Sequence, residues 1–315
     1  MLRFILGLIG AAFAGVLLIS GFNTVSTFLS SEPERSAEHE FHKHPKHLAL
    51  ASNGPFGKYD KAQLQRGFQV YKEVCAACHG LHQVAFRDLA ALGYSENAIK
   101  KIASDWAIEV PSVNPETGEA ATRKAIPSDR FPSPYANETA GRAANNNAYP
   151  PDLSLMTKAR EGGAAYVYSL LTGYTNQQGY KNEKGQELLK EFPSAKTPEG
   201  LHFNPYFPNL NIAMPQPIVS DGQVTYAEGN PAPTVDQMAK DVSAFLVWTA
   251  EPKLENRHRI GIVTVLFLLV GSFLGYLAYR EIWAEAKRKV RVTGPLEAEN
   301  QAKSRAAKDE SGIAG

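Results

Sequence analysis

The sequence predicts a mainly α-helical protein with long loops, held to a membrane by one C-terminal helix. Two apolar runs near the chain ends, two segments with apolar residues at helical spacing, and proline- and glycine-rich stretches between them point to this class. Of the 315 residues, 33 are Lys or Arg and 32 are Asp or Glu, so the net charge is only +1 and electrostatic binding to nucleic acid is excluded as a purpose. Hydrophobic residues make up 43% and charged residues 21%, the balance of a globular chain and not of a disordered or polytopic one. Cys75 and Cys78 are the whole cysteine complement, too few for a disulfide framework.

The first apolar run, Phe4 to Ile19, comes after Arg3 and precedes a polar region. Residues 1–21 therefore read as a signal peptide or an N-terminal anchor, and either exports the chain beyond it. Ala12, Ala14, Ser20 and Gly21 offer only weak cleavage sites. Residues 22–55 are polar and irregular. His39, His42, His44 and His47 cluster there without the cysteine or carboxylate spacing of a zinc pattern, so the segment reads as a solvated, flexible linker. The next region, 56–256, reads as a domain. From Lys61 onward, Leu64, Phe68, Tyr71 and Val74 recur at helical spacing behind Asp60 as a candidate N-cap. Pro111 to Asn137, rich in Pro, Gly, Thr and Ser, reads as a surface loop. Near the end of the domain Thr234-Val235-Asp236-Gln237 has the form of a capping box. It opens a helix with the stripe Val235, Met238, Val242, Phe245, Leu246 and Thr249, which ends before Pro252.

Residues 260–279 form the second apolar run, 20 residues without a charge. At about 1.5 Å per residue such a run spans about 30 Å, the thickness of a bilayer core. Lys253, Arg257 and Arg259 precede it, whereas Arg280, Lys287, Arg288, Lys289 and Arg291 come after it. The heavier positive flank predicts a cytoplasmic C-terminus and a basic cytoplasmic tail over 280–315, with the preceding domain on the outer, periplasmic side of a bacterial-type inner membrane.

Cys75-Ala76-Ala77-Cys78-His79 is a C-x-x-C-H motif, the attachment pattern of c-type haem. Two thiols three positions apart can each add to a vinyl group of one porphyrin edge, and the adjacent histidine reaches the iron from one face. A redox disulfide and half a zinc site are the competing readings. The first calls for a thioredoxin-like βαβ pattern, and the second for further ligands that no other cysteine supplies. One covalently bound haem c is the expected cofactor, which makes 56–256 a c-type cytochrome domain. Met214, in a proline-rich loop from Asn204 to Pro217, is the best candidate for the sixth iron ligand, and a core gap-filler is the alternative for it. Arg142 reads either as a partner for a haem propionate or as a surface arginine. Pro150-Pro151-Asp152-Leu153 fixes an extended path in which a carbonyl can accept the Nδ1 proton of His79.

The chain resembles the cytochrome c1 family in the segments Arg66 to His79, Pro151-Asp152-Leu153-Ser154, Leu171-Thr172-Gly173-Tyr174, Asn204-Pro205-Tyr206-Phe207 through Met214-Pro215, and Ala244-Phe245-Leu246-Val247-Trp248. The resemblance implies that His79 and Met214 are the axial ligands of the iron and that Arg142 serves a propionate. It implies an electron-transfer subunit of the respiratory cytochrome bc1 (ubiquinol–cytochrome c reductase) complex, not an enzyme by itself, that receives one electron from the Rieske iron–sulfur protein and passes it to a cytochrome c. Cytochrome b and membrane lipid are the further partners implied. A membrane-anchored c-type haem subunit of another oxidase or dehydrogenase is the alternative.

Overall fold

The computed structural model describes residues 2–30, 35–293 and 297–311. Helix α1 (Leu2–Ser30) opens the chain and is followed by the short α2 (Ala37–Phe41). Helix α3 (Lys61–Val70) leads into a π turn over Tyr71–Cys75, and a 3-10 segment (Phe86–Leu92) and α4 (Glu96–Ser104) come next. Strands β1 (Val110–Val113) and β2 (Ala120–Arg123) form an antiparallel hairpin, with Val110 opposite Arg123 and Val113 opposite Ala120. Then come α5 (Glu138–Ala144), α6 (Met156–Ala159), α7 (Gly163–Leu171) and α8 (Leu188–Glu191). The two-residue strands β3 (His202–Phe203) and β4 (Asn211–Ile212) pair antiparallel, and α9 (Val235–Ala250), α10 (Leu254–Thr293) and α11 (Ala298–Ser311) complete the chain. Two compact units result. One holds the chain up to Leu50 together with Lys61–Ala250, and the other holds Ala51–Asp60 with the chain from Glu251 onward.

The core of the larger unit is the packing of α3 on α9. Helix α3 buries Leu64, Gly67, Phe68 and Val70, and α9 buries Met238, Val242, Phe245 and Trp248, much as the apolar spacing predicts. The two backbones meet at Gly67: a Cβ there would lie 2.0 Å from the Asp241 carbonyl oxygen and 2.7 Å from Phe245 Cβ. Only glycine permits that approach. Beside it, Asp241, whose side chain is fully buried, accepts two bonds from Arg66, Nε to Oδ2 at 2.8 Å and Nη2 to Oδ1 at 3.2 Å. Gln63 and Gln237 donate to the same carboxylate at 3.1 and 2.9 Å. The buried carboxylate is thereby paired with a cation and accepts four hydrogen bonds, which offsets the cost of taking it out of water.

Aromatic rings extend this core toward α4. Phe68 and Tyr71 each lie 5.7 Å from Phe245, and Phe131 lies 4.2 Å from Phe86 and 4.9 Å from Trp106. The expectation of a plain surface loop over Pro111 to Asn137 is thus corrected in part. Its first half is a hairpin with little burial, but Ala125 and Phe131 belong to the core. Arg123 holds Asp129 in a two-pronged pair at 2.6 and 2.8 Å, and Ile126 N–H donates to the same carboxylate at 2.8 Å. Backbone bonds from Phe86 to Asp129 and from Phe131 to Val84 then join this segment to the chain just past the C-x-x-C-H motif.

The flexible linker expected over 22–55 is also corrected. Helix α1 runs on to Ser30, past the expected boundary at residue 21. Ser36 caps α2 by accepting from His39 N–H, and Ala37 and Phe41 pack with Leu188, Phe203 and Leu210. Composition concealed this because two apolar residues among polar ones suffice when the partner surface is supplied from far along the chain. Residues 31–34 of that segment, and 294–296 and 312–315 of the expected tail, lie outside the described residues.

In the smaller unit α10 has 40 residues, about 60 Å at 1.5 Å per residue and so about twice a bilayer core. The apolar run at 260–279 is its middle part. Arg3–Ser30 and Leu254–Lys287 are both long and apolar enough to cross a membrane, and neither is buried by protein. Within the expected tail, α11 covers 298–311.

The packing gives two expectations. Gly67→Ala should destabilise the haem-motif domain by about 3 kcal/mol, the scale of overpacking against a rigid backbone, measured by denaturant titration of the detergent-solubilised protein. Arg123, chiefly through its hydrogen bonds, holds the Asp129 carboxyl below the usual aspartate range. A carboxyl depressed on folding stabilises above its unfolded pKa, and the contribution is lost as pH falls through the folded value. Asp129→Asn should therefore flatten the acid limb of a stability-versus-pH curve and cost about 1 kcal/mol at neutral pH.

Candidate functional site

The predicted attachment residues sit where α3 gives way to the π turn. Ala76 N–H donates to the Tyr71 carbonyl at 2.8 Å, an i→i+5 bond, and the N–H groups of Cys78 and His79 both donate to the Cys75 carbonyl at 3.1 and 2.9 Å. Cys75, Cys78 and His79 thus share one tight turn, and all three are half-buried. Tyr71, buried among Trp106, Phe131 and Phe245, donates its hydroxyl to the His79 carbonyl at 2.9 Å. Sequence spacing assigns Tyr71 only to an apolar face, and nothing in the spacing distinguishes its hydroxyl.

His79 meets the expected carbonyl: its Nδ1 lies 2.7 Å from Pro151 O. A carbonyl can only accept, so Nδ1 carries the proton and the lone pair is left on Nε2. The contact is one rung of a longer clasp. Leu153 N–H donates to Gly80 O at 3.0 Å, and the Asp152 carboxylate accepts from the N–H groups of His82 and Ser154 at 2.8 and 2.9 Å. Gln83 N–H donates to Ser154 Oγ at 3.0 Å, and the His82 ring lies 3.2 Å from Asp152. A Cβ at Gly80 would come within 2.9 Å of the His82 ring. Asp152 and Ser154 enter the sequence reading only as neighbours of Pro151, yet they carry most of the clasp.

The protonation states suit haem attachment. Burial lowers the pKa of His79 despite the raising effects of Pro151 and Asp152, so the imidazole is neutral near pH 7, as a metal ligand must be. Burial, with the neighbouring Cys78, pushes the Cys75 thiol up to about 12. That is opposite to the lowered pKa that activates a redox C-x-x-C pair. A neutral imidazole with an oriented Nε2 beside two thiols on one turn is a donor set that fits covalent haem.

Met214 lies beyond β4, half-buried, and its carbonyl accepts the Tyr174 hydroxyl at 3.0 Å. The loop before it is pinned at Asn204, which is fully buried, donates to Leu170 O at 2.8 Å and accepts from Tyr206 N–H at 3.1 Å. At Gly173 a Cβ would lie 2.4 Å from the Tyr206 ring, so the turn after α7 is a close-fitting seat for this loop. Tyr174 and Asn204 are the residues that fix the loop, and the sequence shows them only as parts of matching segments.

Arg142 is not brought to the histidine or to the methionine by any hydrogen bond. It lies on the exposed side of α5, bonded to Glu138 at 2.6 and 2.9 Å and to Asn147 O at 3.0 Å. Its surroundings nonetheless reach the motif: Asn145 donates to the Tyr135 hydroxyl at 2.8 Å, and that phenol interacts with the Cys78 thiol.

Residues 50–286 match the Cytochrome C1 family. "Cytochrome c1" of Rhodospirillum rubrum is 45% identical over 243 residues, which cover 74% of this chain and 85% of that protein. "Cytochrome b-c1 complex catalytic subunit, mitochondrial" of Candida albicans is 40% identical over 268 residues, 85% of this chain and 86% of that one. "Cytochrome b/c1" of Bradyrhizobium diazoefficiens is 46% identical over 242 residues, and the chain spans 34% of that longer protein. The extent of these matches, over the same residues that carry the motif, the clasp and the methionine loop, makes this chain a member of the cytochrome c1 family.

Proposed function

We propose that the chain is the one-electron carrier between a Rieske iron–sulfur protein and a cytochrome c, within a cytochrome bc1 complex that also contains cytochrome b. The observation that carries this reading is the His79 Nδ1 to Pro151 carbonyl bond at 2.7 Å, which leaves Nε2 as the ligating atom beside two thiols on the same turn. Bound there, haem c supplies a one-electron iron couple. With haem c bound, Cys75 and Cys78 would hold it covalently, and His79 and Met214 would ligate its iron. His/Met ligation raises the reduction potential, which suits the high-potential half of a respiratory chain. The chain makes and breaks no substrate bond in this reading and acts as a subunit, not as an enzyme by itself.

The protein's own contribution is position. The clasp of 151–154 on 79–83 fixes the imidazole plane and makes it a better donor through its bonded Nδ1–H. Tyr174, holding the Met214 main chain, confines the thioether to one approach. Arg142 would serve a propionate only by giving up Glu138 for it. The present pair is an exposed i,i+4 contact, worth about 0.3–0.5 kcal/mol and so readily given up. The haem domain lies on the periplasmic side and the C-terminus in the cytoplasm, a reading supported by the basic residues that come after the apolar part of α10.

Met214→Leu, expressed in membranes, should retain the pyridine-haemochrome spectrum of covalent haem. Its reduction potential should fall by a substantial fraction of the roughly 0.8 V range that axial ligands span, and it should gain carbon monoxide binding. An unchanged titration removes Met214 from the ligand set, and absence of covalent haem in the parent overturns the function. Asp152→Ala should keep the haem but lower the potential, since it releases His82 and Ser154 from the clasp. A redox titration that matches the parent would show that the clasp does not tune the ligand.

A further inference from the structure

We propose that the loop tip Gly54-Pro55-Phe56-Gly57 is a second membrane contact, with the Phe56 ring seated among the lipid headgroups of the leaflet through which α10 enters. The inference rests on reading α10 as a membrane span. Phe56 is 76% exposed, unusual for a phenylalanine in the part of this chain that lies outside its apolar helices. Its loop is closed by Lys58 N–H to Ala51 O at 2.9 Å and by a turn from Gly57 N–H to Gly54 O at 3.2 Å. Pro55 takes the first corner of that turn, where its fixed φ is favoured, and puts Phe56 at the second. Gly57 lies so close beneath that a Cβ would meet Ser52 O at 2.2 Å. A tip packed this tightly cannot fold its ring inward.

The loop is strapped to the start of α10. Tyr59 donates its hydroxyl to Glu251 O and its N–H to the Glu255 carboxylate, both at 2.8 Å, and the His258 ring lies 3.2 Å from Gly57 O. The tip is therefore level with His258, two residues or about 3 Å of helix rise before the apolar run begins at Ile260. Lys58 beside the tip and Arg257 and Arg259 on either side of His258 are exposed, Arg257 pairing with Glu251 at 2.8 Å. An exposed aromatic ring on a strap that carries basic residues, at the depth where a span leaves the hydrocarbon, is a composition that suits an anionic phospholipid surface.

In the holoprotein the two native thiols are consumed by haem, so an added cysteine can be labelled alone. The full-length Phe56→Cys, Leu268→Cys and Val113→Cys variants are to carry nitroxides in vesicles of phosphatidylcholine and phosphatidylglycerol, with accessibility to oxygen and to a water-soluble nickel chelate read by power saturation. The Leu268 label should favour oxygen strongly, the Val113 label should favour nickel, and the Phe56 label should read headgroup depth. If the Phe56 label is as open to nickel as that at Val113 while Leu268 stays deep, the proposal is overturned. A Leu268 label open to nickel overturns the span itself.

Discussion

The haem-motif domain depends on one close approach, that of α3 to α9 at Gly67. The missing side chain lets the α3 backbone rest on the Asp241 carbonyl, and this brings the Asp241 carboxylate within reach of Arg66 one residue earlier. Apolar burial alone would tolerate some sliding of two amphipathic helices, since the hydrophobic effect has no direction. A fully buried carboxylate filled by Arg66, Gln63 and Gln237 does not, because any slip leaves a charge without partners in a dry environment. The glycine sets the distance and the ion pair sets the register. The stretch that continues from α3, including the π turn and the C-x-x-C-H motif, inherits its position from these two.

A second constraint acts at the far end of the motif. The chain from His79 to Gln83 is bonded along its length to 151–154, and Arg130 adds a bond to the His82 carbonyl at 2.8 Å. The imidazole is thus held from behind by main chain, not by a single flexible side chain. Backbone carbonyls in extended, proline-bounded segments lose little entropy when they serve this way, so orientation comes at small conformational cost. On the methionine side the loop is held in similar fashion, by a tyrosine hydroxyl on its main chain and a buried asparagine at its base.

How far the sequence foretold this differs from element to element. The helices around Leu64 and Val242, the apolar run at 260–279 and the C-x-x-C-H motif were legible because each is a local pattern whose physical reason lies within a few residues. The pairing of His79 with Pro151 was legible from chemistry, since a ligating imidazole needs an acceptor and a proline-bounded segment presents one. What escaped was non-local. Phe41 is buried only because Leu188, Phe203 and Leu210 come to meet it, and Phe131 only because Phe86 and Trp106 do. The roles of Tyr71, Tyr174 and Asp152 are those of single polar atoms aimed at distant backbone groups, and periodicity carries no record of aim. Arg142 shows the converse, a residue whose charge suggested a partner but whose observed bonds are to its own helix and the turn after it.

The π turn over Tyr71–Cys75 acts as a phase adjuster between packing and chemistry. In an uninterrupted α-helix each residue advances the azimuth by about 100°, so the face that packs on α9 would dictate where the thiols point. Widening the ladder to an i→i+5 bond accommodates one extra residue in a turn. Tyr71 can then stay on the buried face while Cys75 and Cys78 emerge at half-buried positions. The turn that presents the thiols is therefore offset in angle from the helix that builds the core, by a fixed amount, though the two are continuous in chain. Such a joint lets one stretch serve a buried face and a half-exposed one, with Tyr71 holding the two in phase.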